Sequence, residues 1–258
     1  MSCVTPDRTY YLTTPSGDKI KVFQKIIPDT AVATKYVASY VPKGHPLKPC
    51  AKLGPKNDGI PLGIAIHNTN KIKSKLSSDC AEVYTLATWP NCNMGGVVVH
   101  FYVYLTNVWQ NLSVNERGYH AADGVKRTIK THDGSRFING NLDTIAIEVV
   151  GNDPVTEATA AKLCAYLCKR FGLKPQKDIY THNYFMHKQG DKVIKGASKN
   201  CPYYILPHWQ SFLNSVDKYM VEPGYVITGT KTVSSSSKIA DAAGLLSANG
   251  FTVNVKRK

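Results

Sequence analysis

The chain reads as an α/β protein: one central mixed β-sheet flanked by helices, followed by a small C-terminal βαβ module. Three observations predict this. The runs GIPLGIAIHNT (59–69), GGVVVHFYVYLTN (95–107) and TIAIEVV (144–150) are apolar and have the length of buried strands. Helical patterns fall between and after them, the alternation expected of a sheet covered by helices. From Val221 the texture changes to strand, loop, helix, strand.

Taken in order, TYYLTTPSGDKIKVF (9–23) predicts a hairpin, two β-prone runs around a Pro-Ser-Gly-Asp turn. Residues 24–58, rich in Pro, Lys and Gly, read as an irregular lead-in. In the run ending at Thr69, Ile64 and Ile66 share one face, Ala65 and His67 the other; His67 is read as ending that strand. A helix is expected around 73–88, then the strong strand 95–107. The polar stretch 115–141 has the length of a functional surface loop.

After the strand 144–150, DPVTEATAAKLCAYLCKRFGL (153–173) predicts a helix with an Asp/Thr cap and an early proline. Its apolar stripe runs through Ala160, Leu163, Leu167 and Phe171, and Gly172 stops it. DIYTHNYF (178–185) predicts a short strand ending in His182, and ILPHWQSFLNSVDKYM (205–220) a closing helix. This organisation divides the chain into a body, 1–220, whose hairpin and lead-in occupy 1–58, and a βαβ unit, 221–258. That unit is below the size that usually folds alone, so it must pack on the body, on a second copy of itself to give a homodimer, or on both.

Composition narrows the classes. At 258 residues and 43% hydrophobic, the chain can bury a full core. No run is apolar and long enough to span a bilayer. The start, MSCVTPDRTYYLTTPSGDK, lacks the basic and apolar regions of a secretory signal, so synthesis and retention in a cytoplasm, or release by a route other than standard secretion, are expected. Seven cysteines, an odd number in a chain too long to need stapling, argue for reduced thiols. Cys164 and Cys168 share one helix face and read as core, as do Cys80 and Cys92. The net charge of +14 attracts polyanions, but no nucleic-acid motif accompanies it.

Two of these elements end in a histidine, and a third ligand type, Cys201, stands in SKNCPYY (198–204). Two histidines and a cysteine are the ligand types of an open zinc site with a fourth position left for water. Glu148 interrupts the buried strand TIAIEVV, sharing a face with Ala146 and Val150. A carboxylate there is costly unless it is paired or used.

The ordered set IAIHNT, VHFYV, YHAADG, IAIEVV, YTHNYF and KNCP resembles the type-2 zinc-dependent N-acetylmuramoyl-L-alanine amidases. That group includes phage endolysins and bacterial autolysins and is related to the peptidoglycan recognition proteins. The resemblance covers residues 59–217. It implies one catalytic Zn2+ held by His67, His182 and Cys201, with Lys199 stabilising the transition state. Some members carry a catalytic tyrosine where this chain has Val99, before His100-Phe101; others use a glutamate from the IEI-like strand, the position of Glu148. Glu148 is therefore assigned as general base. His100 and His120 resemble cleft residues but are left off the catalytic set.

The resemblance further implies a peptidoglycan substrate, action on the wall after release from the host cytoplasm, and residues 221–258 as a module for anionic wall polymers. Two rival readings are a non-catalytic peptidoglycan-binding protein of the same fold and a basic zinc-containing nucleic-acid-binding protein. Filled ligand positions argue against the first, and the missing nucleic-acid motif against the second.

Overall fold

The computed structural model describes residues 3–35, 42–54, 58–91, 93–94, 96–121, 128–186, 188–189, 192–193 and 200–222. The chain divides after Met220 into two units, and the first of them, Met1–Met220, holds the sheet and its helices. The βαβ reading of 221–258 lies, beyond Glu222, outside the described residues, as do Cys92 and Lys199.

In chain order the body contains β1 (Arg8–Thr13), β2 (Lys19–Gln24), β3 (Gly63–Thr69), α1 (Cys80–Thr88), β4 (Phe101–Tyr104) and β5 (Asn107–Gln110). There follow β6 (Thr128–Lys130), β7 (Phe137–Asn139), α2 (Gly140–Asp143), β8 (Thr144–Val150) and α3 (Pro154–Phe171). Then come α4 (Pro175–Asp178), β9 (Ile179–Thr181), α5 (His182–Met186), the short ribbon β10 (Lys188–Gln189) and β11 (Lys192–Val193), and α6 (Trp209–Met220). Seven strands form one mixed sheet in the order β1-β2-β5-β4-β8-β3-β9. β4, β8, β3 and β9 run parallel, while β1 with β2 and β4 with β5 are antiparallel pairs.

Strand alternation assigns the two faces. Ile64, Ile66, Ile145, Ile147 and Val149 join Ala160, Leu163 and Leu167 of α3 and Phe212 and Val216 of α6 in the main core. Ala146 and Val150 face the other way, packing with Tyr102, Trp109 and the α1 residues Ala81 and Tyr84. Helix α3 forms where its terminal signals agree. Asp153 accepts from the Val155 and Thr156 amides, Pro154 fills the first turn, and Gly172 closes the helix with a left-handed φ of 67°. Its Cys164 and Cys168 are buried, and burial raises both thiols, Cys168 to about 12. The six described cysteines are all free thiols.

Several element boundaries differ from the sequence reading. The expected strand 95–107 is two strands, β4 and β5, reversed at Leu105, which adopts φ 50°. Both strands are largely buried, so no polar alternation marks the turn. The helix expected at 73–88 starts only at Cys80, because the Asp79 carboxylate caps it by accepting from Ala81 N at 3.0 Å and Glu82 N at 3.4 Å. His67 does not end its strand but sits inside β3, two residues before Thr69. The expected strand 178–185 stops at Thr181, whose hydroxyl accepts from Tyr184 N at 3.0 Å and starts α5 at His182. The closing helix begins at Trp209, after a 3-10 turn over Leu206–His208.

Candidate active site

Register, not sequence proximity, builds the site. Phe23, Trp109, Tyr102, Glu148 and His67 form one row across five neighbouring strands. Residues in such a row share a face. Phe23 stacks on Trp109 with centroids 5.0 Å apart, and Tyr102 stacks on Tyr84 of α1 at 5.4 Å. Glu148, half-buried, is thus bracketed by Tyr102 on β4 and His67 on β3. β8 is an interior strand, so Glu148 is not an edge residue. Its charge is felt by its surroundings: burial and then Glu148 raise Tyr102, and burial, Cys201 and Glu148 raise Tyr203.

His67, His182 and Cys201, all buried, place one ligand atom each within 4.8 Å of one another. Nδ1 of His67 lies 3.0 Å from Nδ1 of His182. β3 supplies the first of these residues and the first turn of α5 the second. The third is fixed by three hydrogen bonds. Asn68 N donates to Cys201 Sγ at 3.4 Å, Asn183 N donates to the Cys201 carbonyl at 2.7 Å, and Tyr204 N donates to Asn68 Oδ1 at 3.0 Å. The Asn68 amide is anchored in turn, donating to the carbonyls of Val149 (2.7 Å) and Gly151 (3.0 Å) at the end of β8.

The donor set fits a zinc ion. Two imidazoles and a thiolate suit a borderline-soft cation, and tetrahedral coordination with metal–ligand bonds of about 2.0–2.3 Å puts donor atoms roughly 3.3–3.8 Å apart. The observed spread, from 3.0 Å between the two histidine Nδ1 atoms to at most 4.8 Å across the set, brackets that range. Lys199, the fifth residue singled out from the sequence, lies outside the described residues.

The two histidines left off the catalytic set have different places. His100 is fully buried, its Nδ1 accepting from Ala146 N at 3.0 Å, so Nε2 carries the proton and donates to the Glu116 carbonyl at 2.8 Å. Burial lowers it to about 4. It is a neutral strut between β8 and the segment after β5. His120, also buried, brings Nδ1 to 3.1 Å from His67 Nε2. Sequence reasoning missed this contact; the only signal was a second histidine, in YHAADG, without a stripe to belong to. It also missed Asn68, whose polar side chain sits beside a proposed ligand in an otherwise apolar run.

A buried imidazole–imidazole–thiol cluster on the sheet of an α/β domain, with a carboxylate facing it from the next strand, has the make-up of a metallohydrolase site. Comparison with known proteins narrows this. Residues 57–204 match the family described as N-acetylmuramoyl-L-alanine amidase, and the chain belongs to that family. It is 27% identical over 163 residues to the amidase CwlH and 29% identical over 173 residues to the amidase XlyA, both of Bacillus subtilis (strain 168). These matches cover 63% and 65% of this chain, and 56% and 50% of the relatives, so the chain spans about half the length of the curated relatives it matches. In three dimensions it resembles the catalytic domain of XlyA, with TM-score 0.50 and 24% identity over 76% of this chain and 98% of that one. A mutant endolysin from Bacillus subtilis gives TM-score 0.51 and 23% identity over 76% and 99%. The mixed sheet with flanking helices is thus shared with endolysin folds.

Proposed function

We propose that the protein is a zinc-dependent N-acetylmuramoyl-L-alanine amidase, cutting the amide between the lactyl group of N-acetylmuramic acid and L-alanine in peptidoglycan. The observation that carries this is the convergence of His67, His182 and Cys201 beside Glu148 in a chain of the amidase family. His67, His182 and Cys201 hold the ion. When bound, zinc supplies a Lewis acid that lowers the pKa of water from 15.7 to about 7 and polarises a carbonyl.

The chain's own groups do the rest. Glu148 accepts a proton at its carboxylate as water attacks the lactyl carbonyl, and returns it to the alanine nitrogen as the C–N bond breaks. The half-buried strand position gives the carboxylate little freedom to swing away. Lys199 supplies positive charge to the developing oxyanion. The products are a free lactyl carboxylate on the glycan and a peptide with a new amino terminus.

Residues 221–258 are read as a wall-binding module whose basic tail suits anionic wall polymers, and which pairs chains when it docks on a second copy. The site of action is the cell wall, reached after release from a host cytoplasm. No helix among the described residues is long and apolar enough to cross a membrane. Mass spectrometry of digested purified peptidoglycan tests the reading. It expects peptides with free N-terminal alanine and intact glycan strands, abolished by a chelator; cleavage within the glycan or the peptide stem overturns it.

A further inference from the structure

We propose that His120 is a positioning residue for the metal centre: by accepting a hydrogen bond from Nε2 of His67, it fixes the tautomer and ring orientation that present Nδ1 of His67 to the cation. This rests on the zinc reading of His67, His182 and Cys201.

The geometry leaves few alternatives. An imidazole that binds a metal through one nitrogen must carry its proton on the other, and that N–H needs an acceptor. Nδ1 of His67 faces the donor cluster, 3.0 Å from Nδ1 of His182. Nε2 therefore points away from it, and the atom it meets is Nδ1 of His120 at 3.1 Å. The two rings meet edge to face, with an interplanar angle of 89° and centroids 5.2 Å apart. Accepting at Nδ1 puts the His120 proton on Nε2. That atom is buried and has no conventional hydrogen-bond partner among the described residues.

His120 is itself held. Asn141 Oδ1 accepts from the amides of His120 at 2.7 Å and Ala121 at 2.6 Å. A Cβ on Gly140 would come within 2.4 Å of the Ala121 side chain, so glycine there allows α2 to approach the segment closely enough for Asn141 to reach. The choice of partner matters chemically. Carboxylates commonly orient metal-binding histidines and add negative charge beside the ion. A neutral imidazole orients without that charge, so the cation stays more electrophilic beside a ligand set that already includes a thiolate.

Zinc affinity, measured by competition with a chromophoric chelator, separates His120→Ala from His120→Asn, whose side-chain oxygen can occupy the place of Nδ1. His120→Ala is expected to weaken binding 10–100-fold, the usual cost of losing such a partner, and His120→Asn to stay within a few-fold of wild type. Thermal unfolding of the metal-free variants distinguishes positioning from general destabilisation. Equal affinity for wild type and His120→Ala, or equal losses in both variants at matched metal-free stability, overturns the inference. Should His120→Ala fail to fold, long-range 1H–15N spectra of the zinc-loaded wild type still decide it. His67 protonated on Nε2 supports the proposal and His67 protonated on Nδ1 overturns it. A wild-type chain that binds no zinc overturns the metal reading and this inference together, whereas zinc binding indifferent to His120 overturns this inference alone.

Discussion

Glu148 and His67 are direct register partners on the parallel strands β8 and β3, so a carboxylate and a proposed metal ligand are held side by side by main-chain pairing alone. The proposed roles fit that adjacency, and the first prediction tests them. Glu148→Gln preserves volume and removes the proton acceptor. Turnover should fall by about 10²–10⁴-fold, the usual contribution of a positioned general base. Zinc stoichiometry and thermal stability should stay near wild type. Release of alanine amino termini from purified walls, beside metal analysis, checks this; lysis at a near-normal rate would remove Glu148 from the mechanism.

Cys201→Ala deletes the thiolate from the cluster. Metal analysis should show zinc per chain falling well below one, and added zinc should raise the melting temperature of wild type but not of this variant. Binding to the native state alone stabilises by about 2.7 kcal/mol when zinc is at 100 times its Kd. Full zinc occupancy in this variant would exclude Cys201 as a ligand.

Asn68→Ala tests what holds Cys201 in place. The variant loses two donated bonds to the Val149 and Gly151 carbonyls and the acceptor for Tyr204 N. Leaving such buried groups unmatched costs about 1–3 kcal/mol. Denaturant unfolding should show that loss, together with faster zinc release to a chelator. Unchanged zinc release at reduced stability would mean that Asn68 supports the fold but not the ligand.

Acid should weaken the body in a defined window. His100 is neutral in the fold and lowered to about 4 by burial, against about 6.5 when unfolded. The unfolded chain therefore binds the extra proton first as pH falls. The stability held by the neutral ring is intact above about 6.5, drains away between about 6.5 and 4, and amounts to roughly 3 kcal/mol. His120, also lowered by burial, steepens the same slope. Denaturation of metal-free protein across that range reads it directly, and a flat profile would contradict a neutral buried His100.

Much of this fold was legible before the structure, and the exceptions have physical causes. Helix α3 carries a complete set of stop and start signals, from the Asp153 cap to the left-handed Gly172. β8 matches its apolar run residue for residue. The β4–β5 turn stayed hidden because both strands are sandwiched between layers. His67, His182, Glu148 and Cys201 could be singled out by type and order, and the structure brings them to one place. Their juxtaposition could not be read, because β3 and β8 become neighbours only through sheet order. The contacts of Asn68 and His120 depend on that same non-local pairing.

Removing residues 221–258 tests the remaining assignment. The shortened chain should cleave soluble muropeptides at a rate close to full length while sedimenting poorly with intact walls. Retention equal to that of the full chain would leave the module without its assigned role.

The proposed ligands are drawn from distant parts of the chain: 115 residues separate His67 from His182, and 133 separate Asn68 from the Cys201 it touches. The complete set of three therefore exists only once β3, the start of α5 and the segment around Cys201 have come together. An ion that needs all three donors finds them in the folded body. Stripping the ion should leave the sheet standing, and apoprotein prepared in chelator should regain full occupancy on simple addition of zinc, with no refolding step.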